Sequence, residues 1–251
     1  MRDDNRGVSD LLGFVMIFGI MIVSVGLIAV VGFGTVGSVG EGEQLASAEV
    51  SMTELADQMA GIADHEAPVR STEARIHGAT IRMINGPTMT IEANRTVGDD
   101  WNDTVELGGV EYRLGDRAIT VAGGSVIRTD GDSSVMLREP PFFGGNDRLR
   151  LNLLRVEEMA IDAPLQASST VQIRTHHHRT QLLEPTNRSH LTDVESLSIE
   201  IGGDDPVAAA WRSYLESSES WTADGHNRWT ATNIDEGVVL RLTILQVQFI
   251  R

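Results

Sequence analysis

The residues best suited to bind a metal ion are four histidines in one part of the chain. His176, His177 and His178 are consecutive, and His190 follows twelve residues later. On a β-strand the side chains of His176 and His178 would share one face, where they could chelate a metal together with His190. The alternative is a polar edge or loop whose imidazoles are solvated. We favour this alternative, so the sequence predicts neither a metal nor any other cofactor.

The acidic clusters do not complete a calcium site. Asp130-Gly131-Asp132-Ser133 begins like a calcium-binding loop, but Pro141 stands at position twelve, where such a loop carries glutamate. The segment is therefore predicted to be a turn.

Motifs for catalysis are missing from the sequence. It contains no GxSxG, phosphate-binding loop, HExxH or dinucleotide fingerprint. Cysteine is absent, which excludes thiol catalysis, disulfide bonds and cysteine-based zinc sites. No pair of carboxylates stands out as a general acid and base. We therefore predict that the protein is not an enzyme and has no catalytic residues.

Three sequons offer sites for a covalent modification instead. They are Asn94-Arg95-Thr96, Asn102-Asp103-Thr104 and Asn187-Arg188-Ser189. Each asparagine would accept an N-linked glycan if this part of the chain faces the outside of the cell.

The charge composition narrows the class of protein further. All 20 basic residues are arginine, against 36 Asp and Glu, so the net charge is −16. An acidic excess of this size argues against a nucleic-acid partner, because phosphate recognition depends on clustered positive charge. The lack of lysine together with the acidic excess resembles proteins of halophilic archaea, in which molar salt screens the repulsion between like charges.

A membrane-spanning helix is predicted near the N-terminus. Residues 11–40 carry no charged side chain, and residues 11–34 read LLGFVMIFGIMIVSVGLIAVVGFG. This apolar run exceeds the roughly 20 residues that a helix needs to cross a bilayer. Arg2 and Arg6 precede it and no arginine follows before Arg70, which places the N-terminus in the cytoplasm and residues 41–251 outside. The side chains expected to anchor the helix are Leu11, Phe14, Ile17, Ile22, Leu27 and Val31.

The N-terminal residues resemble a known type of signal. The stretch Arg6-Gly7-Val8-Ser9-Asp10-Leu11-Leu12 is similar to the class III signal peptides of archaeal type IV pilins. This resemblance implies that a prepilin peptidase cuts between Gly7 and Val8 and leaves the apolar helix attached. It also implies homo- or hetero-oligomers formed through that helix. The chain most resembles membrane-anchored haloarchaeal proteins that join such an N-terminus to a large β-rich body.

An ordinary secretory signal is the competing interpretation. Ala46-Ser47-Ala48 fits the pattern of a signal-peptidase site. This tripeptide, however, lies more than ten residues beyond the apolar run and inside a helical repeat. We therefore expect the apolar segment to be retained.

The helical repeat predicts an amphipathic stem over residues 41–66. Spacings of three, four and seven define a stem stripe, which consists of Leu45, Met52, Leu55, Met59 and Ile62. The stripe could pack on the body of its own chain or against neighbouring subunits as the core of a filament. We favour packing on its own body.

Residues 67–251 are predicted to form a β-rich body. Period-two patterns separated by Gly, Asn and Asp indicate short strands of an antiparallel, sandwich-like fold. One helix, Pro206–Ser217, interrupts them, with Asp204-Asp205 as its cap. In the last strand, Val238–Ile250, apolar residues change face after Ile244, which predicts either a bulge or a strand that serves two layers. The expected strands are Ala74–His77, Thr80–Ile84, Thr88–Ala93, Thr104–Leu107, Glu111–Leu114, Ala118–Ala122, Ser125–Thr129, Ser134–Arg138, Leu149–Ala160, Val171–His176, Val194–Ile201 and Val238–Ile250.

One aromatic segment has two interpretations. Residues 140–145 read PPFFGG and are predicted to form a turn. Its rings could be an exposed contact for a partner, or they could fill the end of the sandwich. We favour the second alternative.

These patterns together predict an α+β protein with four parts. Residues 1–10 are a cytoplasmic leader, 11–40 a transmembrane helix, 41–66 the stem and 67–251 the extracellular body. The expected function is that of a single-pass, non-enzymatic structural protein of the cell surface, pilin-like, either a minor filament subunit or a surface module. The alternative is a stalked extracellular binding module for a sugar, a metal or a surface-protein partner.

Overall fold

The computed structural model of the protein describes residues 4–64, 66–76, 78–145, 148–159, 165–166, 170–183, 191–225, 227–232, 234 and 237–250. Side chains are described for these residues other than 4–12, 28–41, 143–145 and 165–166. The chain divides into two compact units, Met1–Gln44 and Leu45–Arg251.

Helix α1 (Asp4–Ala63) contributes residues to both units. The first proline of the sequence is Pro68. A proline disfavours the helical conformation of the residue before it, so Pro68 discourages a helix that continues beyond this point. Among the side chains described in the first unit, those of residues 13–27 are all exposed. In the part of the chain that the structure describes, no helix is long and apolar enough to span a bilayer. Within the predicted spanning segment, residues 11–40, side chains are described only for residues 13–27, so its passage through a membrane stays a prediction.

The described residues of the second unit form sixteen strands and one further helix. Helix α2 is Pro206–Ser217. In chain order the strands are β1 (Val69–Arg75), β2 (Thr80–Ile84), β3 (Thr88–Arg95), β4 (Trp101–Glu106), β5 (Gly109–Leu114), β6 (Arg117–Ala122), β7 (Ser125–Asp130), β8 (Ser133–Arg138), β9 (Phe142–Gly145), β10 (Arg148–Glu158), β11 (Leu165–Gln166), β12 (Thr170–Leu182), β13 (Val194–Gly202), β14 (Thr222–Ala223), β15 (Arg228–Thr232) and β16 (Val238–Ile250).

The described strands form three sheets. The central sheet has the order β1-β12-β16-β10-β9, the meander sheet β11-β2-β5-β6-β7-β8, and the outer sheet β14-β15-β13-β3-β4. Among the described strands, β10 and β16 form a parallel pair and the other paired strands are antiparallel. The structure therefore confirms the α+β class with mainly antiparallel sheets.

Two apolar cores lie on opposite faces of the central sheet. The α2 core joins helix α2 to the outer sheet and to one half of strands β10 and β16. The stem core joins the stem part of α1 to the meander sheet and to the other half of the same two strands. In β16, Leu240, Leu242 and Ile244 belong to the α2 core, whereas Leu245 and Val247 belong to the stem core.

This arrangement decides between the two interpretations of the last strand. Residues 240, 242 and 244 share one face of a regular strand, and residues 245 and 247 share the other. The alternation therefore continues without interruption, and β16 serves two layers. The bulge lies on the neighbouring strand β12, where the register shifts between His177 and Arg179.

The stem stripe packs on the body of its own chain. Met52, Leu55, Met59 and Ile62 have no exposed surface, and they share the stem core with residues of the meander and central sheets. The C-terminal end of α1 is held by Arg241 of β16, whose guanidinium donates a hydrogen bond to the carbonyl oxygen of Ala63. A cation at this end of a helix also interacts favourably with the helix dipole. The favoured alternative for the stem is confirmed.

One glycine joins the meander sheet to the central sheet. Gly108 has φ +64°, and a Cβ atom on it would lie 2.2 Å from the carbonyl oxygen of Val156. Beside it, the amide of Val156 donates a hydrogen bond to the carbonyl oxygen of Leu107 at 3.0 Å. Only glycine combines this left-handed backbone with so close an approach.

Several element boundaries differ from the sequence predictions. The segment predicted as an aromatic turn contains strand β9, which pairs with β10. Strand β12 continues to Leu182 rather than ending at His176, because its polar second half still pairs with β16. Strands β11, β14 and β15 were not predicted, and the first two have only two residues each.

Candidate functional site

The N-terminal unit carries an exposed apolar segment, residues 13–27. Its side chains are exposed in every direction around the helix rather than along one stripe. Eleven of them are large hydrophobic groups with 54–69% of their surface exposed. They are Phe14, Val15, Met16, Ile17, Phe18, Ile20, Met21, Ile22, Val23, Val25 and Leu27. A continuous apolar surface of this kind is typical of segments that contact lipid or other helices. The structure does not describe the side chains of two predicted anchor residues, Leu11 and Val31. It also does not describe the surroundings of the predicted processing residues Gly7 and Val8.

The histidine tract lies at the register shift of strand β12. His176 lies opposite Gln246 of β16, and His178 is the additional residue of the β12 bulge and is exposed. His190 lies outside the described residues. Nε2 of His176 is buried without a hydrogen-bond partner, whereas Nε2 of His177 lies 2.9 Å from Oγ1 of Thr180. Among the described residues, no group of three or more potential metal ligands lies together.

Two of the three sequon asparagines lie on the solvent face of the outer sheet. Asn94 of β3 is exposed, and its Nδ2 donates a hydrogen bond to Oγ of Ser196 at 3.0 Å. Asn102 is exposed on the edge strand β4, and the hydroxyl of its sequon residue Thr104 lies 3.0 Å from that of Thr90. Asn187 lies outside the described residues. Glycosylation of these residues stays a prediction.

The aromatic segment contributes to the α2 core. The ring of Phe142 lies 5.8 Å from that of Trp211, which is completely buried, and 6.4 Å from that of Tyr214. Burial, with a smaller contribution from the negative charge of Glu139, raises the pKa of Tyr214 above its usual value. The structure therefore confirms that Phe142 packs inside the body rather than forming an exposed contact. The side chain of Phe143 is not described.

The body contains an ion triad that the sequence analysis did not identify, formed by Arg82, Glu111 and Arg113. The register of β2 and β5 places Arg82 opposite Glu111, and Arg113 lies two residues further on the same face. Oε1 of Glu111 accepts hydrogen bonds from Nε of Arg82 at 2.8 Å and from Nε of Arg113 at 3.0 Å. Oε2 accepts one from Nη2 of Arg113 at 2.8 Å. The glutamate is thus held by a bidentate and a single charge-assisted contact.

The environment of Glu111 keeps it ionised. Burial would raise the pKa of this carboxyl, whose side chain is only 6% exposed, but the hydrogen bonds from Arg113 and Arg82 outweigh burial and lower it. Both oxygens are occupied by guanidinium groups, so Glu111 is not placed to accept a proton from a substrate as a general base. The triad is suited to binding or to stabilising the sheet rather than to acid–base catalysis.

A cavity of about 500 Å³ opens beside the ion triad, and we refer to it as the α2 cavity. One wall is the triad, and another is the N-terminal end of α2 with Pro206 and Val207. This end of α2 is fixed by Asp205, whose Oδ1 accepts a hydrogen bond from the amide of Ala208 at 2.9 Å. The two turns that follow β2 and β7 complete the lining.

No signal in the sequence alone identifies the ion triad. A solvated face of a sheet shows the same pattern of alternating charged residues on short strands. Arg82 and Glu111 are 29 residues apart, and only the strand register brings them together.

Comparison with known proteins identifies the family of the chain. Residues 6–248 match the model of a family of unknown function, DUF7289, and the chain belongs to that family. No curated protein and no solved structure matches the chain.

Proposed function

We propose that this member of the DUF7289 family is a membrane-anchored, extracellular structural protein without enzymatic activity, pilin-like in its N-terminal segment. It would act as a minor filament subunit or as a module of the cell surface. The observation that carries this proposal is the exposed apolar segment, residues 13–27, inside a longer sequence without charged side chains.

The energetics of this segment support an anchor. Burying a large apolar side chain is worth about 1.5–3 kcal/mol, so burying eleven of them is worth on the order of 20 kcal/mol. That is more than the typical stability of a folded domain, which is about 5–15 kcal/mol. A lipid bilayer removes such a surface from water on all sides of the helix at once. The cell membrane is therefore the proposed partner of residues 11–40.

The positive charges set the proposed orientation. Arg2 and Arg6 precede the apolar sequence and Glu41 and Glu43 follow it. The positive-inside rule then places the N-terminus in the cytoplasm and the stem and body outside the cell. The body would be exposed to the surroundings of the cell, where the sequon asparagines could be modified.

The packing of the stem favours a surface module over a filament core. Leu55 and Met59 are completely buried within their own unit and are not available to a neighbouring stem. Any homo- or hetero-oligomer would therefore form through residues 11–40. The six- or seven-residue spacing of Gly13, Gly19 and Gly26 allows close helix contacts there.

The proposed processing by a prepilin peptidase is tested by replacing Gly7. The variant Gly7→Val should accumulate as an uncut precursor about 0.8 kDa heavier than the mature chain, the mass of seven average residues. Gly13→Val is the matched control, because a Cβ atom at residue 13 meets nothing within 4 Å, and it should be processed normally. Intact-mass measurement of membrane-extracted protein distinguishes the two forms. A mature N-terminus at Glu49 would contradict the proposal and support ordinary secretion.

A stalked binding module is the second candidate function. The specific observation in its favour is the α2 cavity with its ion triad. Because arginine side chains and apolar groups line this cavity, the ligand proposed for such a module is a small organic molecule.

A further inference from the structure

We infer that the α2 cavity binds a sugar acid, a small polyhydroxylated molecule that carries one carboxylate. The inference rests on the body of the protein and on the binding-module candidate. It does not depend on the membrane anchor.

The ion triad provides the donors for a carboxylate. Arg82 uses only its Nε for Glu111, and its two terminal nitrogens have no hydrogen-bond partner among the described residues. Arg113 uses Nε and Nη2, which leaves Nη1. The side chains of these arginines are 45% and 41% exposed, so their remaining N–H groups are accessible from the cavity that they line. Planar guanidinium groups of this kind recognise carboxylates by paired hydrogen bonds.

The local charge of the triad favours an anion, although Asp205 makes the charged lining of the cavity neutral as a whole and Asp116 also acts on Arg113. Two guanidinium groups face a single ionised carboxylate, which gives the triad a net charge of +1. Asp205, also in the lining, is negative, but it caps the positive end of the α2 dipole and is hydrogen-bonded there. Because Glu111 is buried and both of its oxygens are occupied, it holds the arginines in position and does not compete with them for a ligand.

The rest of the lining fits a sugar ring better than an inorganic ion. Asn85 and Thr129 offer an amide and a hydroxyl group for sugar hydroxyls. Met83, Ile84 and Pro206 provide apolar surface that can contact the carbon face of a ring. The volume of about 500 Å³ lies in the range of small-molecule sites, about 300–1,000 Å³. A bare phosphate or sulfate would leave the apolar walls uncovered.

The test is calorimetric titration of the full chain in a neutral polyoxyethylene detergent that carries no sugar. Glucuronate and galacturonate are compared with glucose, phosphate and sulfate at pH 7 and one fixed KCl concentration. We expect the uronates to bind at least about tenfold more tightly than glucose, the difference that one good charge-assisted contact supplies. Uronate affinity no higher than that of glucose, or phosphate binding as tight as uronate binding, would overturn the inference.

Matched variants locate the site. Arg82→Gln removes the guanidinium with the most uncommitted donors and should weaken uronate binding about tenfold or more. Arg150→Gln changes an exposed arginine on β10 and should leave the affinity within about twofold. Equal effects of the two substitutions would overturn the inference.

A second variant covers the case in which Arg82→Gln does not fold. Asn85→Trp starts from an exposed turn residue, leaves the ion triad unchanged and fills the cavity. It should abolish uronate binding while the melting temperature stays within a few degrees, and full binding by this variant would refute the site. Failure of these titrations does not affect the anchor proposal, because that proposal is measured by membrane fractionation.

Discussion

Replacing Leu55 by alanine removes a completely buried side chain from the stem core. Leucine-to-alanine changes at such sites cost about 2–5 kcal/mol, the sum of the lost transfer free energy and of the cavity left behind. In a unit of 207 residues, which is 251 minus 44, each kcal/mol lowers the melting temperature by about 2–4 °C. We therefore expect the melting temperature to fall by about 4–20 °C.

The same helix offers a matched control. Val50 lies five residues before Leu55 and is 69% exposed. Val50→Ala removes little buried surface and should change the free energy of unfolding by less than about 0.5 kcal/mol. Alanine is also the better helix former, so the small change should be favourable.

Tryptophan fluorescence is the suitable assay for this comparison in detergent. The four tryptophans, residues 101, 211, 221 and 229, all lie in the second unit, so the signal reports on the body and not on the N-terminal segment. Strands β10 and β16 belong to both cores, so loss of the stem core should destabilise the region around the tryptophans as well. A Leu55→Ala protein that melts with the wild type, but whose oligomers dissociate, would refute this reasoning. The stem would then pack against another subunit.

The net charge, the backbone and one half-buried phenol each provide a further prediction. Because the net charge is −16, the melting temperature should rise between dilute buffer and molar KCl, and a constant value would contradict the halophilic interpretation. Gly108→Ala should lower the free energy of unfolding, measured with denaturant, by about 3 kcal/mol or more. Gly131 also has positive φ, but no atom lies near a Cβ there, so Gly131→Ala should lower it by about 1 kcal/mol. Equal losses would disprove the close contact at Gly108. Burial raises the pKa of Tyr214, so its contribution is complete below the unfolded pKa of about 10 and is lost as pH rises through the folded value. Between pH 8 and pH 11 the wild type should therefore lose more stability than Tyr214→Phe, and equal losses would contradict this origin.

Elements with strong local signals were predictable from the sequence. The boundaries of β2, α2 and β16 agree with the predicted ones, because alternation, a capping aspartate before proline and a long apolar run each identify an element without tertiary information. The stem stripe was predictable for the same reason, since its helical spacing requires a partner surface. The sequence left open which surface that is, and the structure resolves it in favour of the body.

Features that depend on strand register were not predictable. Arg82, Glu111 and Arg113 look like solvated charges until the pairing of β2 with β5 places them together. Strand β9 is another example, because Phe142 and its neighbours have turn-forming Pro and Gly around them and are extended only through pairing with β10. Long-range pairing decides both cases, and no local propensity encodes it.

The most direct test of the proposed anchor is the distribution of the chain between membrane and soluble fractions. Membranes from cells that express the full chain are washed with alkaline carbonate, and intact cells are treated with protease in parallel. A variant that begins at Gly42 serves as the control and should be recovered in the soluble fraction. We predict that the full chain stays in the membrane pellet until detergent is added and that external protease digests its body. Release of the full chain by carbonate alone, or a body protected in intact cells, would contradict a single-pass surface protein.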